Sequence, residues 1–373
     1  MRRIAALKML LHDRSTTAGS VSGVIAIIFL VGQQLAIFFG LLNYMSILVD
    51  YSGADIWIVT KKTNNINSAG TLPVRYIDRI IGLEGIEWAE PIIISAGLLK
   101  RPNGNYQPVQ IAGIKRPRMA GGPWHFYQGS LASLLDAQGI SLDLLDFSAL
   151  GDPKIGDVFE INEQKVRLNV TTLNMRGFGG IIVFTNIDKA RDISKFQPDR
   201  CSSILVKVTD PKNIDKMKTQ LKQILPNLEV IRSNKLSRLT RLYYIQNTGI
   251  GGSFGFTTII GALVGVVIIA LTMYTNVLNK QKDYAVLRAL GARKKDVLVI
   301  VIYQSIFIAL IGIVVGFSLL ALFVLFTKDS NLPSYMPLWV PPVHAFFTLL
   351  LCMFGSLLAM QRAIKIEPAS AFR

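Results

Sequence analysis

Apolar residues form one long run near the start of this chain and three more near its end, with a mostly polar stretch over 49–250 between them. The four runs lie at 23–42, 256–278, 297–326 and 343–360. Each is long enough to cross a hydrocarbon core of about 30 Å as a helix rising about 1.5 Å per residue. The spacing predicts a membrane protein with four transmembrane helices in a one-plus-three arrangement. The polar stretch is then a folded domain on one side of the membrane.

This pattern predicts the domain organisation of the whole chain. In order, we expect an amphipathic N-terminal helix over 1–19, a first span over 20–48, an extracytoplasmic domain over 49–250 with an insert over about 118–200, a second span over 251–279, a coupling loop over 280–296, a third span over 297–327, a short outer loop over 328–340, a fourth span over 341–362 and a tail over 363–373. The first apolar run exceeds the core of about 7–15 residues found in a signal peptide, so we interpret it as a retained anchor.

The N-terminal segment carries Ile4, Leu7 and Leu11 on one helical face. This spacing predicts a short amphipathic helix on the inner leaflet, and an ordinary juxtamembrane segment is the alternative.

The charge distribution orients the chain. The formal net charge is +16 and the mean hydropathy is +0.41. The basic residues next to the spans are concentrated in every second connecting segment, which places them on one side of the membrane. They cluster in the N-terminal segment, in the 279–296 loop and in the tail, so the positive-inside rule places all three in the cytoplasm. The sequence therefore predicts a multi-pass protein of the inner membrane with both termini cytoplasmic and no nucleic-acid partner.

The polar domain contains a strand–helix–strand pattern near each end. The first covers 55–95 with a helix opening at Pro73, and the second covers 203–231. Between them we expect a helix over 130–145, a hairpin over 157–173 that turns near Glu163, and a strand over 181–185. The economical interpretation is a split α/β domain with a β-rich module inserted in its middle.

The approach to the second span predicts a helix that links the domain to the membrane. Over 233–246 the leucines Leu236, Leu239 and Leu242 are spaced three apart. The glycine-rich stretch over 249–255 does not follow a strand and departs from the dinucleotide-binding pattern, so a hinge or a close helix contact is the favoured interpretation.

No catalytic, cofactor-binding or metal-binding constellation is found in the sequence. The three histidines fall in three separate regions, at His12, His125 and His344. Cys201 and Cys352 lie in the outer domain and in the last span, so we expect no disulfide between them. There is no Gly-Lys dipeptide and therefore no Walker motif. If ATP drives this protein, a separate polypeptide binds it, and this chain is not itself an enzyme.

Polar residues inside the spans are few. Acidic residues are absent from the four apolar runs, so a proton relay lacks its expected groups. Gln33 and Gln34 form a polar pair within the first span. Hydrogen bonding between helices in a dimer is favoured for this pair, and a transport site is the alternative.

The 280–296 loop carries the most specific pattern. Tyr284, Leu287 and Leu290 are expected to share one helical face, and Gly291 is placed to end the helix. Such a helix between two spans suits a membrane subunit that takes force from a soluble motor. Anchoring on lipid by its basic residues is the alternative, and the residues alone leave both open.

The same loop resembles the FtsX-like permeases of ABC transporters, also called the MacB-type or mechanotransmission class. That family shows a run R-E-x-x-x-L-R-A-x-G-A. Here Lys282 and Asp283 stand in place of the Arg-Glu pair, and 287–292 reads LRALGA. The ending over 367–373, EPASAFR, is similar to the family's x-P-x-x-A-L-R, and the entry to the second span at 248–251 resembles the DevC-type branch, the permeases of cyanobacterial glycolipid export.

The resemblance implies a mechanism. Such permeases are homodimers with a separate cytoplasmic ABC ATPase, which binds ATP and Mg, and many dock a periplasmic adaptor (membrane fusion) protein that continues to an outer-membrane channel. Their outer domain is a split ferredoxin-like porter module with an inserted module. Coupling to the ATPase would fall on Lys282, Asp283, Tyr284, Leu287, Arg288, Leu290, Gly291 and Ala292. Transmission would fall on the stalk residues Leu41, Leu42, Leu236, Leu239 and Leu242.

The leading functional hypothesis is an ATP-driven exporter of an amphiphile, such as a glycolipid, lipid, peptide or drug, taken from the periplasm or outer leaflet. The alternatives are a transmembrane signal relay that controls a cell-wall hydrolase or a sensor, and a lipoprotein-release permease. The residues that contact substrate or adaptor are not identified by the sequence.

Overall fold

The computed structural model describes residues 2–177, 180–327, 330 and 332–363. The chain divides into two compact units. One, the membrane unit, is formed by the chain up to Gly40 and from Gly252 onward. The other, the outer domain, is formed by Leu41–Gly251. The family-like ending over 367–373 lies outside the described residues.

The helices are numbered in chain order. They are α1 Arg2–His12, α2 Arg14–Asp50, α3 Tyr76–Ile81, α4 Phe147–Leu150, α5 Ile187–Ser194, α6 Ile214–Ile224, α7 Ser233–Asn247, α8 Ile250–Asn279, α9 Gln281–Ala289, α10 Lys294–Thr327 and α11 Val340–Ala363. Among the described residues, α2, α8, α10 and α11 are long and apolar enough to cross a membrane. The predicted one-plus-three arrangement of apolar helices around a large α/β domain is confirmed.

Glycines set how closely α2 and α10 pack inside the membrane unit. A Cβ at Gly312 would lie 2.6 Å from Val24, and one at Gly316 would lie 2.8 Å from Ile28. Both distances are too short for a side chain, so the two helices approach through a small-xxx-small surface. The buried cluster around this contact also includes Ile269 of α8.

The N-terminal helix α1 ends at a break before α2. The backbone N–H of Thr16 donates to Asp13 Oδ1 at 3.3 Å, which supports the start of the next helix. On α1, Ala6 and Leu10 are buried, whereas Ile4, Leu7 and Leu11 are exposed. The predicted apolar stripe is therefore present on the exposed side of α1, and its contact with lipid stays a prediction.

The strands are also numbered in chain order. They are β1 Ile56–Thr60, β2 Leu72–Pro73, β3 Ile86–Lys100, β4 Tyr106–Ile114, β5 Phe126–Gln128, β6 Gly139–Asp143, β7 Val158–Ile161, β8 Gln164–Thr172, β9 Arg176–Gly177, β10 Gly180–Asn186, β11 Arg200–Cys201, β12 Ser203–Val208 and β13 Leu228–Arg232.

The main sheet joins a ferredoxin-like half to the inserted half. Its strand order is β13-β1-β12-β3-β4-β10-β6-β8-β5 within the described residues. The first four strands pair antiparallel in the order of a split βαβ unit, with α3 and α6 as the connecting helices. Strand β4 pairs with both β3 and β10, so no gap in the sheet marks the predicted insert boundary near residue 118.

Both faces of this sheet are covered. Along β1, Ile56 and Ile58 belong to a core shared with α3, α5 and α6, whereas Trp57 and Val59 belong to a core shared with the end of α2 and the start of α7. Successive side chains point to opposite faces of a strand, so an uninterrupted apolar strand needs a cover on each side.

Two expectations for the insert have different outcomes. The hairpin near Glu163 is confirmed by the pairing of β7 with β8, and Asn162 and Glu163 form the turn with φ of 47° and 67°. The helix expected over 130–145 is wrong. A short 3-10 turn, Leu131–Leu135, precedes β6, which pairs with β8 and β10. Sheet pairing of a buried strand overrides the helix-like spacing of its leucines.

The α2–α10 contact predicts a specific sensitivity to side-chain size. We expect Gly316→Leu to lower the stability of the membrane unit by about 1–3 kcal/mol, because the added side chain overlaps Ile28. Gly255→Leu is the matched control, since a Cβ there meets nothing within 4 Å. Thermal unfolding in detergent measures both, and equal stability of the two variants would contradict the close packing.

Candidate functional site

Helix α9 forms the predicted coupling loop. It ends where predicted, because Gly291 adopts φ of +98° and its N–H donates to the carbonyl of Arg288 at 3.1 Å. The N–H of Ala292 donates to the carbonyl of Leu287 at 3.0 Å. The last turn is thereby closed before α10 begins at Lys294.

One face of α9 is anchored in the membrane unit. Tyr284 is 5% exposed, and its hydroxyl donates to Gln304 Oε1 of α10 at 2.6 Å. Burial raises the pKa of Tyr284 above its ordinary range, so the phenol remains a protonated donor. Leu287 packs against the same cluster, which also contains Ala6 of α1. Helices α9 and α1 therefore share one core.

The opposite face of α9 is exposed. It presents Lys282 and Asp283 beside Val286 and Leu290, and Leu290 is 81% exposed. The expectation that Leu290 shares a face with Tyr284 and Leu287 is wrong. Each step of three residues falls about 60° short of a full helical turn, so two steps carry Leu290 out of the buried face. Ala292 and Arg288 are partly buried.

Lys280 is a buried cation next to α9 that sequence reasoning missed. Its side chain is 1% exposed, and Nζ has no hydrogen-bond partner among the described residues. Burial lowers its pKa, while the nearby carboxylates of Asp13 and Asp283 oppose that shift. Lys280 directly follows a predicted span, and nothing in the surrounding sequence indicates that its side chain is buried.

The glutamine pair of α2 contacts α8 within one chain. Gln34 Nε2 donates to Thr257 Oγ1 at 2.8 Å, and Gln33 is half-buried. The hydrogen bond expected for the pair was one between the two copies of a dimer, whereas this bond joins two helices of a single copy. A role of Gln33 or Gln34 in a dimer stays a prediction.

A polar clamp joins α2 and α7 in the outer domain. Arg241 of α7 donates to Asp50 Oδ2 and to Ser46 Oγ of α2, each at 2.7 Å. Ser46 in turn donates to Asp50 Oδ2 at 2.7 Å. Because the guanidinium is a planar fork with several donors, it fixes the relative position of the two helix segments. We refer to these three side chains as the stalk clamp.

The predicted stalk leucines lie beside this clamp with unequal burial. Leu42 and Leu236 are buried, Leu41 and Leu239 are half-buried, and Leu242 is exposed. The sequence pattern placed the helices but not the clamp, because an Asp-Arg pair almost two hundred positions apart has no local signature.

A buried acidic pair occupies the inserted half. Asp143 Oδ2 accepts from the N–H of Met175 at 2.8 Å, and Arg176 pairs with Asp146 Oδ1 at 2.6 Å. Burial raises the pKa of both carboxyls, that of Asp146 to about 6, and for Asp146 this desolvation outweighs the nearby Arg176 charge. Tyr44 of α2 lies within electrostatic range of all three charges.

The aromatic stretch over 121–127 is divided between core and surface. Trp124 and Phe126 are half-buried, whereas Tyr127 is 61% exposed. Trp124 stacks on Tyr51 with ring centroids 4.6 Å apart and contacts Phe184 edge-on. Both cysteines are buried and unpaired, and burial raises the pKa of Cys201 to about 12. No group of three or more metal-ligating side chains occurs within the described part of the chain.

Comparison with known families finds a match for the C-terminal part of the membrane unit. Residues 255–368 match the model of the FtsX family, described as FtsX-like permease C-terminal. This part of the chain is similar to the C-terminal domain of FtsX-like permeases. The resemblance drawn from the 280–296 loop is thereby confirmed at the level of the family, and the DevC-type branch stays a prediction.

Relatives of the chain are described as ABC transporter permeases. The chain is 29% identical over 180 residues to an uncharacterised ABC transporter permease of Methanocaldococcus jannaschii, covering 44% of this chain and 42% of the relative. It is 26% identical over 115 residues to an uncharacterised ABC transporter permease of Mycobacterium tuberculosis, covering 30% and 31%. The chain thus spans less than half the length of these relatives.

The solved structures that are similar to the chain include one periplasmic region and one extracellular domain. The periplasmic region of MacB from Actinobacillus actinomycetemcomitans aligns with 52% of this chain and 95% of its own, at 15% identity and a TM-score of 0.39. The extracellular domain of YknZ, a noncanonic ABC-type transporter from Gram-positive bacteria, aligns with 48% and 98%, at 11% identity and a TM-score of 0.36.

The buried phenol of α9 generates a stability prediction. We expect Tyr284→Phe to destabilise the membrane unit by about 1–3 kcal/mol, because Gln304 Oε1 loses the donor it meets at 2.6 Å. Tyr51→Phe, at a tyrosine that is 50% exposed, is the control. Thermal unfolding should separate the two variants, and an unchanged Tyr284→Phe protein would show that the bond does not hold α9 in place.

The acidic pair generates a pH prediction. A carboxyl whose pKa rises from 3.8 to about 6 on folding binds more protons in the folded state, so stability is lost as the pH rises between these values. Asp146→Asn removes that loss. Its stability relative to the unsubstituted protein should rise from pH 4 to pH 7 by up to about 3 kcal/mol.

Asp188→Asn, at an aspartate whose side chain is 82% exposed, is the matched control for this experiment. Unfolding curves at several pH values measure the difference. A parallel pH dependence of the Asp146→Asn variant and the unsubstituted protein would contradict the raised pKa.

Proposed function

We propose that this chain is the membrane subunit of an ABC exporter and that it works by mechanotransmission. The observation that carries the proposal is the two-faced coupling helix. Tyr284 and Leu287 anchor α9, while Val286 and Leu290 expose apolar surface between charged residues. An exposed apolar face of this kind on an otherwise charged helix is typical of a docking surface. The match to an FtsX-like permease domain supports the same conclusion.

In this proposal a cytoplasmic ABC ATPase, a separate polypeptide that binds ATP and Mg, docks on the exposed face of α9. Its force enters α10 through the bond between Tyr284 and Gln304. Helix α2 is continuous from Arg14 to Asp50 and contributes to both units, so it can carry movement toward the stalk clamp. The clamp ties α7 to that helix.

The remaining parts of the proposal rest on the resemblance to FtsX-like permeases and on the charge distribution. The chain acts as a homodimer in the inner membrane, with both termini and α9 in the cytoplasm and the outer domain in the periplasm. Its substrate is an amphiphile taken from the periplasm or outer leaflet. A periplasmic adaptor protein docks on the outer domain and continues to an outer-membrane channel. The basic residues around α9 support this orientation.

The proposal predicts the effect of a single exposed leucine. We expect Leu290→Asp to abolish recovery of an ATPase subunit when the protein is purified from its native membrane in gentle detergent. Thermal unfolding should be unchanged, because Leu290 is 81% exposed. Bound proteins are identified by mass spectrometry. Leu98→Asp, which changes a half-exposed leucine of the outer domain, is the control and should retain the ATPase.

Full recovery of the ATPase with Leu290→Asp would exclude this face as the docking surface. An ATPase recovered together with an adaptor would support export. An ATPase recovered with a cell-wall hydrolase or a sensor instead would overturn export in favour of a signal relay.

A further inference from the structure

A short turn in the outer domain contacts both helices of the stalk. The 3-10 turn Ile66–Ser68 follows β1, and Asn65 caps it by accepting from the N–H of Asn67 at 3.1 Å. Ile66 is fully buried, and its N–H donates to Thr240 Oγ1 of α7 at 3.3 Å. The backbone of the turn is therefore held on α7 independently of the side chain of Asn67.

The side chain of Asn67 makes hydrogen bonds to three elements. Nδ2 donates to the carbonyl of Met45 on α2 at 2.8 Å and to the hydroxyl of Tyr244 on α7 at 3.3 Å. Oδ1 accepts from Gln110 Nε2 on β4 at 2.8 Å. Both amide protons and the amide oxygen are engaged, so one side chain connects α2, α7 and the strand that joins the two halves of the sheet.

The same residues line a cleft. It has a volume of about 420 Å³ and lies between β3, β4 and the end of α7. Its wall includes Asn67, Gln110, Tyr244, Ser95, Leu98 and Val109. Two of the three hydrogen-bond partners of Asn67 are thus wall residues of the cleft, and the third is the backbone of α2.

The stalk clamp does not provide this connection. Arg241 bonds to Ser46, Asn43 and Asp50, all on α2, and none of these residues lines the cleft. The clamp fixes α2 to α7, whereas Asn67 ties both helices to β4. A change in the distance between α2 and β4 must therefore stretch or break a bond of Asn67.

We propose that Asn67 is the positioning residue through which movement of α2 and α7 reaches the cleft beside β4. The proposal rests on the proposed function only for the source of the movement. The link itself is a property of the outer domain and operates in both directions. Loss of the cleft-side bond of Asn67 should therefore also loosen α2 and α7, through the bonds of Asn67 to Met45 and Tyr244.

Hydrogen exchange of the full-length protein in lipid nanodiscs tests this link. In Gln110→Leu the cleft-side bond of Asn67 is lost. We expect amides in the peptides over 41–50 and 233–247 to exchange about fivefold faster, the factor that corresponds to losing one ordinary hydrogen bond. Peptides over β12 should exchange at the unsubstituted rate, which shows that the domain remains folded.

Two further variants separate positioning from general loosening. Asn67→Asp keeps the oxygen that accepts from Gln110 but loses the donors to Met45 and Tyr244. Adding Gln110→Leu to Asn67→Asp should then leave the 41–50 and 233–247 peptides unchanged relative to Asn67→Asp alone. Asn162→Asp is the matched control, because Asn162 lines the same cleft but bonds to Leu98 and Ile193.

If β12 also exchanges faster in Gln110→Leu, Gln110→Glu is used in its place. A carboxylate there favours a flipped Asn67 amide and withdraws Nδ2 from both helices, so the same acceleration is expected. Unsubstituted rates over 41–50 and 233–247 in the folded variant, or equal acceleration by Asn162→Asp, would overturn the proposal. The experiment needs no ATPase, nucleotide or substrate, so its failure is distinguishable from failure to recover an ATPase.

Discussion

Burial of both faces of the outer sheet is the constraint on which the rest of the structure depends. Strand β1 is apolar at every position from Ile56 to Val59, and alternate side chains enter two different cores. One core is closed by short amphipathic helices of the domain itself. The other is closed by the end of α2, the start of α7 and the turn between them, with Trp57 fully buried. The stalk helices are therefore part of the fold of the outer domain.

That requirement explains why polar groups are concentrated along the stalk. Helices that cover an apolar sheet still need fixed positions relative to each other, and apolar packing alone is weakly directional. The stalk clamp fixes the position of α2 relative to α7. Asn67 fixes the position of these two helices relative to β4. Each polar atom in these contacts has a partner with good geometry, so the directional contacts do not leave a buried group unsatisfied.

Helix α9 in the membrane unit is also positioned by a polar contact. Its sequence is short and only moderately apolar, and its position depends on one buried phenol that meets Gln304. Tyr284 and Leu287 pack into the membrane unit, and Val286 and Leu290 remain exposed. Periodicity identified α9 and its glycine stop, but it placed Leu290 on the buried face. Only the end of the helix at Ala289 and the packing of Tyr284 show that this leucine is exposed.

The sequence by itself determined the apolar helices, the two strand–helix–strand units, the hairpin at Glu163 and the resemblance to FtsX-like permeases. These features depend on periodicity, turn chemistry and local motifs, all of which involve residues close together in the sequence. Tertiary structure alone decided β6 in place of a helix, the close approach of α2 to Gly312 and Gly316, and the contacts of Arg241 and Asn67. Each of these joins residues far apart in the chain, and their geometry is set by packing that no local pattern encodes.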